Sequence, residues 1–473
     1  MAAELTFYRL LSLPMDFDLN AALNYPASYV CAGQTGQLPA ASAPPRPPSD
    51  NPLTRPLPTQ PTTYDDLPSE LIARIGDYVP IQDVMLFATV DRRTYHAMQT
   101  RRLVHRYWQQ ANQAVSLASV NQLLDEIGGA LSNPAQHAEP IDALSQRLRA
   151  LPKAERVEAF KRVFAAAERI PQDGVRIQKA LLRAFFIFPP SRRDELFDFA
   201  YAMAERRAPG QDNIWAELAD SLRFFSFDSP FVEQRYQALL DRLASLRISE
   251  QAKLIPVLSN LLLYFNKTDP RVPERYALLR GHALQLPPSH QGASVGILAS
   301  CVQILSKAEQ FAQYTQMRDW ALSLPDEQWG IALQYLLEGL KELSDEQRAQ
   351  ELTLLEGHLA RVPMSQRVSA AFGLLKCQLF LDDVQIKRVW RQGLNLLNGA
   401  GEAALWDLLS QLRADWVLSE FSNFRWEMAV EEITRFMEAS QFSEPARARF
   451  QANVDWLRSE PIIFSETEPS MLR

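Results

Sequence analysis

PDEQWGIALQYLLEGLKEL, residues 325–343, is the stretch whose reading decides the fold. It opens on Pro325 and two acidic residues, then sets apolar side chains three and four residues apart as far as Leu343. Proline suits a first helical turn because its missing amide has no intrahelical acceptor to lose. Apolar spacing of this kind marks one face of an α-helix. The same plan recurs along the chain with a period of about 38 residues, which is the range of stacked helical repeats. It reads PQDGVRIQKALLRAFFIF from Pro171, PGQDNIWAELADSLRFF from Pro209 and ISEQAKLIPVLSNLLLYF from Ile248. It continues as PPSHQGASVGILASCVQIL from Pro287 and PMSQRVSAAFGLLKCQLF from Pro363, with a weaker copy, GAGEAALWDLLSQL, from Gly399.

Between these apolar stretches lie more charged ones that end at the next break. They begin at Val232, Val272, Phe311 and Asp345. Two helices per period, the first more apolar, predict antiparallel hairpins with the apolar helices inside and the amphipathic ones along a face. The expected fold is therefore an all-α solenoid of helical hairpin repeats (HEAT-, ARM- or TPR-like) over residues 139–415, in about six or seven units. An open stack leaves its last apolar face bare, so residues 416–473 are expected to cap it. Helices near Phe424–Ala439 and Glu444–Arg458, rich in aromatic residues (Phe421, Phe424, Trp426, Phe436), supply that cap, and the tail from Pro461 is loose.

Upstream the texture differs. Residues 1–30 carry scattered apolar side chains without periodicity, and 37–63 read QLPAASAPPRPPSDNPLTRPLPTQPTT. Proline at that density propagates neither helix nor central strand, so residues 1–63 are expected to be a disordered leader and linker. Its PPRPP core reads as a solvated spacer ahead of a groove ligand. The N-terminus shows no basic leader followed by an apolar run, which argues against a cleaved signal peptide.

The bulk properties narrow the function. Of 473 residues, 47% are hydrophobic and 22% charged, with a net charge of -7. That balance gives no electrostatic reason to expect nucleic acid or an anionic membrane as partner. No apolar run approaches the roughly 20 residues of a membrane-spanning helix. Cys31, Cys301 and Cys377 are far apart and odd in number, so neither a disulfide framework nor a thiolate metal site is expected. The six histidines show no zinc-binding spacing, and no phosphate loop or serine-nucleophile elbow occurs, so no cofactor and no enzyme activity is expected. Cys301 and Cys377 sit in apolar repeat helices and read as buried thiols. Tyr236, Tyr276 and Tyr314 recur at one place in three amphipathic helices; packing between repeats is the favoured reading over a binding face. Trp320, Trp329 and Trp390 read as core. Nine lysines stand against forty arginines. That bias reads as codon usage of a GC-rich bacterial genome, or as a scarcity of sites for self-ubiquitination.

Residues 66–98, DLPSELIARIGDYVPIQDVMLFATVDRRTYHAM, carry the functional signal. Leu71, Ile75 and Val79 repeat at i, i+4 as one apolar edge. Pro80 ends that helix by steering Val79 out of the α region. Asp83 lies near the next helix start, Val84, Phe87 and Val90 continue the apolar stripe, and a third helix follows from about Asp91. Three short helices bury too little by themselves, so a partner surface is expected.

This segment resembles the F-box, through Leu67-Pro68-Ser69-Glu70-Leu71, then Ile75, Val79-Pro80, Asp83-Val84, Phe87 and Val90-Asp91-Arg92-Arg93. The match covers less than a tenth of the chain, without a gap. It departs at Gly76, where the family usually has Phe, at Thr94, where Trp is frequent, and at Asp91, which replaces a frequent Cys. The resemblance implies a three-helix F-box over residues 64–108, joined by a connecting helix or linker (109–138) to the repeats. It implies that Leu67, Pro68, Leu71, Ile75, Val79, Pro80, Val84, Phe87 and Val90 dock a Skp-family linker protein. The repeats would then hold an unidentified protein target for a cullin ubiquitin ligase. A proline-rich leader, an F-box and helical repeats together are similar to the F-box effectors that plant-pathogenic bacteria such as Xanthomonas inject by type III secretion. That implies action in the host cytoplasm or nucleus. The rival expectation is a helical-repeat scaffold without ligase coupling.

Overall fold

The computed structural model describes residues 64, 67–171, 173–207, 214–377, 381–414 and 423–459. Among them every regular element is a helix and no strand occurs. The leader with its PPRPP run, the helix start at Pro209, Phe421, the side chains of Phe424 and Trp426, and the tail from Pro461 lie outside this description.

The chain divides into two compact units, whose described residues run from 64 to 233 and from 234 to 459. The first contains α1 (Ser69–Asp77), α2 (Val84–Ala88), α3 (Arg92–Ala97), α4 (Gln99–Asn112) and α5 (Leu117–Ala130). It continues with α6 (Ala138–Arg147), α7 (Arg156–Glu168), α8 (Asp173–Arg183), α9 (Pro190–Glu205) and α10 (Trp215–Ser221). The division falls within α11 (Pro230–Arg242). The second unit holds α12 (Ile248–Leu261), α13 (Arg271–Gln285), α14 (Gly292–Ser300), α15 (Lys307–Leu322), α16 (Asp326–Gly339) and α17 (Asp345–Glu356). It ends with α18 (Arg367–Lys376), α19 (Asp383–Leu396), α20 (Glu402–Ala414), α21 (Asn423–Ala439) and α22 (Glu444–Ser459).

Local chemistry sets these bounds. Ser344 and Gln347 form a reciprocal capping box at the start of α17, and Asp382 with Gln385 does the same for α19. Each box satisfies two of the amides that the first turn leaves without partners. Pro190 opens α9 and Pro230 opens α11, where a missing N–H costs nothing. The apolar helices end in a tightened 3-10 turn, and the next residue is extended: Leu151, Phe188, Phe225, Phe265, Leu305 and Leu343. These extended residues are apolar plugs, and Leu151, Phe188, Phe265 and Leu343 are buried.

Packing alternates along the chain. In the first unit α6 packs on α4 and on α8, which packs in turn on α10; α7 packs on α5 and α9. In the second unit α14 lies against α12 and α16, and α18 against α16 and α20. Glycines permit this close approach. A Cβ on Gly296 of α14 would stand 2.8 Å from the Ala332 carbonyl oxygen of α16, and one on Gly373 of α18 would stand 2.6 Å from Gln334 Cα. Helices α11, α13, α15 and α17 coincide with the charged segments expected near Val232, Val272, Phe311 and Asp345. The alternation starts earlier than expected, because α4 and α5 already take part and 109–138 holds the end of α4 and all of α5.

The recurrent tyrosines are core residues of the second unit. Tyr236, Tyr276 and Tyr314 are buried, and each hydroxyl donates to a carbonyl 22 residues on: Leu258 (3.1 Å), Leu298 (3.2 Å) and Leu336 (3.0 Å). Cys301 and Cys377 are fully buried, with Sγ 3.3 Å from the Ser259 carbonyl and 3.5 Å from the Leu337 carbonyl. Trp329 and Trp390 are buried, and Trp320 is half-buried with its indole N–H on Gln291 Oε1 at 2.9 Å.

Candidate protein-docking site

The three short helices α1–α3 build a small core of Val84, Ala88 and Met98, with Val79, Ile81 and Phe87 packed against it. From α1 the inward residues are Ile72 and Gly76. Gly76 leaves room for Met98: a Cβ there would stand 1.9 Å from the Met98 sulfur. The volume that a side chain at position 76 would take is therefore filled from the end of the segment. Methionine, unbranched and polarizable, suits such an irregular gap.

The segment is also pinned by polar groups. Asp91 caps α3, its Oδ1 accepting from the Thr94 amide at 2.7 Å. That bond holds the Asp91 carboxyl below the usual carboxylate range. Thr94 is buried, with its hydroxyl against the Tyr64 hydroxyl. Arg101 of α4 reaches two ways, donating to the Val79 carbonyl at 3.0 Å and pairing with Glu139 at the start of α6. One guanidinium thus fixes the end of α1 to the helices behind it. His105, one turn further along α4, is buried; burial and the neighbouring Arg101 hold its imidazole below its ordinary value, against the pull of Glu139.

The residues expected to meet a partner separate into three groups. Leu71, Ile75 and Val90 are exposed (42, 42 and 62%), as are Pro68 and Pro80. Leu67, Val79 and Phe87 are half-buried. Val84, also expected to meet the partner, is fully buried and belongs to the core of the segment, away from the exposed set. Val79 likewise departs from the expected apolar edge of α1. The edge that faces outward is Leu71, Ile75 and Tyr78, with Tyr78 90% exposed. Tyr78, Met85, Leu86 and Tyr95 complete the exposed set and were missed by the motif alone. For Tyr78 the signal was its i, i+4, i+7 spacing with Leu71 and Ile75, since such residues share one stripe.

This exposure is concentrated. Among the described residues, seven of sixteen large apolar side chains that stand exposed lie between Leu71 and Tyr95. Scattered single apolar residues are ordinary on a protein surface, whereas clusters mark interaction sites. Charges border the set: Glu70, Arg74, Asp77, Asp83, Arg92 and Arg93. Arg102 lies over the Tyr95 ring at 3.3 Å.

Among the described residues no group of three or more His, Cys, Asp or Glu is arranged to hold a metal ion. Burial pushes the Cys301 thiol up to about 12 and raises Cys377 as well, so neither is a thiolate near neutral pH. Among the described residues no helix is long and apolar enough to cross a membrane. No family model matches the chain, and no curated protein matches it.

Proposed function

We propose that residues 64–108 are an F-box that docks a Skp-family linker protein. The alternating helices behind it are read as an α-solenoid that presents a protein target to a cullin ubiquitin ligase. The observation that carries this reading is the exposed apolar set from Leu71 to Tyr95 on a segment with a very small core of its own. Covering a Leu, Ile or Val fully is worth about 1.5–3 kcal/mol, so a partner that buries several of them gains a substantial part of a stable interface. The departure at Gly76 is compatible with the motif because Met98 fills the space. The departure at Asp91 supplies a helix cap. In this reading the protein does no chemistry and supplies proximity, raising the effective concentration of target lysines beside a charged conjugating enzyme. The arginine-rich, lysine-poor composition and proline-rich leader favour a bacterial effector delivered into a host cell.

One observation favours the scaffold alternative. Arg101 and the packing of α4 on α6 tie the segment to the helices behind it, as a terminal cap would be tied. A pull-down with Skp-family proteins separates the two. The adaptor reading expects capture by the wild type and loss with Leu67→Ala/Pro68→Ala. Capture by neither form rejects it in favour of the scaffold.

A further inference from the structure

The turns that close α6, α8 and α10 (148–150, 184–187 and 222–224) lie side by side, because α8 packs on both of the other helices. Two arginines tie each turn to the next. Arg156 donates to the Arg149 carbonyl at 2.6 Å and to the Ile187 carbonyl, one turn on, at 3.4 Å. Arg193 donates to the Phe188 carbonyl at 3.0 Å and to the Phe224 carbonyl, again one turn on. The side chains that these turns present are therefore held at fixed spacing.

Four of them form a row. The Arg149 guanidinium lies over the Phe186 ring at 4.9 Å, and the Phe186 and Phe224 rings stand 6.0 Å apart. The Arg223 guanidinium lies over the Phe224 ring at 4.9 Å. Phe185 and Phe188 are buried in the core, whereas Phe186 between them is 42% exposed and Phe224 is half-buried. The two cations differ. Arg223 pairs with Asp220 at 3.4 Å. Arg149 is exposed, as is Lys153 four places on, and no carboxylate among the described residues pairs with either. Glu155, the one acidic residue between positions 147 and 156, accepts instead from the Leu117 amide at the start of α5.

A guanidinium that rests its face on a ring keeps its in-plane N–H groups for an outside acceptor, and it gives up water more readily than an ammonium. Its strongest acceptor is a carboxylate, which takes two of those N–H groups at once. One open guanidinium beside two partly exposed rings is thus complementary to one carboxylate beside an apolar side chain. A run of phosphates would meet Asp220 at the far end of the row, which disfavours a nucleic acid. We infer that this row docks an acidic segment of a partner protein. Arg149 takes a carboxylate, and Phe186 and Phe224 receive the neighbouring apolar side chain. Arginine and large aromatic side chains are typical of interface hot spots, and the fixed spacing of the turns spares the cost of ordering them. The inference rests on the reading that the helices hold a protein target, and it names the chemistry of that target.

The test titrates the full chain against a fluorescein-labelled peptide of alternating glutamate and phenylalanine, and against its glutamine counterpart, with fluorescence anisotropy as the readout. The acidic peptide binds saturably, and the neutral one binds at least about tenfold more weakly. Phe186→Ser and Arg149→Gln each weaken binding of the acidic peptide by at least about tenfold. Wild-type melting of both variants shows that the loss is local. Lys341→Gln removes an exposed cation from the matching place in the second unit, two residues ahead of Leu343, and leaves binding unchanged. Absence of binding, equal binding of the two peptides, or acidic-peptide binding that survives Phe186→Ser and Arg149→Gln overturns the proposal. Oligothymidylate that binds more tightly than the peptide, and is lost with the same substitutions, overturns it in favour of a single-strand site. No Skp-family protein enters this assay, so a chain that captures such a protein but ignores the acidic peptide loses only this inference.

Discussion

Gly76 and Met98 share one volume at the residue scale, and each explains the other. A side chain at position 76 would collide with the sulfur of the buried Met98, whose side chain would have to shift. Gly76→Ala is expected to cost about 1–3 kcal/mol by overpacking. Met98→Ala is expected to cost about 2–5 kcal/mol through the cavity it opens. The double variant should cost less than the two together, because the new methyl occupies space that the methionine leaves, and urea unfolding measures the coupling. Two titrating groups add a pH signature. His105 has a folded value below its ordinary 6.5, so its contribution is intact above 6.5 and is lost as pH falls through the folded value. Asp91 is lowered too, so its capping contribution is present above 3.8 and is lost as pH falls through its folded value. Urea midpoints from about pH 8 down to about pH 5 should therefore fall in the wild type and fall less in His105→Gln. Asp91→Asn keeps an acceptor for the Thr94 amide and should flatten the curve only where it is extended below pH 3.8. At this scale the sequence was only half legible. Leu71 and Ile75 stand outward as a docking edge requires, but the motif could not separate them from Val84, whose burial depends on Met98 arriving from the far end of the segment.

At the scale of elements, the buried tyrosines show how the alternate helices are locked. Tyr236, Tyr276 and Tyr314 each place a hydroxyl on a carbonyl of a later apolar helix, and the next place in the series, 38 residues beyond Tyr314, is Leu352, also buried. Tyr→Phe at any of the three should cost about 0.5–1.5 kcal/mol, the net worth of one hydrogen bond, with little change in secondary structure by circular dichroism. The leucine at 352 shows that the packing place tolerates loss of the bond. Helix existence and spacing were legible from periodicity, down to Asp83 and Asp91 at the starts of α2 and α3. The early start of the alternation was not. Helix α4 reads QTRRLVHRYWQQAN, polar apart from Leu103, Val104, Tyr107 and Trp108, and α5 begins with a Ser116 cap instead of a proline. The 3-10 turns with their extended plugs were hidden as well, because a plug such as Phe188 or Phe265 reads as the last apolar residue of its helix.

For the whole molecule, the proposed division of tasks gives docking to the exposed apolar segment between Leu71 and Tyr95 and target recognition to the packed helices that follow. The central claim is that the exposed apolar side chains are an interface for a Skp-family protein. Calorimetric titration of the full chain with such a protein tests it most directly. Burial of apolar surface gives a negative heat-capacity change, so saturable binding with that signature is predicted. Leu71→Asp/Ile75→Asp should weaken it by at least about tenfold, or about 1.4 kcal/mol, while melting stays at the wild-type temperature. Tyr276→Phe, buried in the second unit, should leave the affinity unchanged. Absence of binding, or binding indifferent to Leu71 and Ile75, would contradict the account.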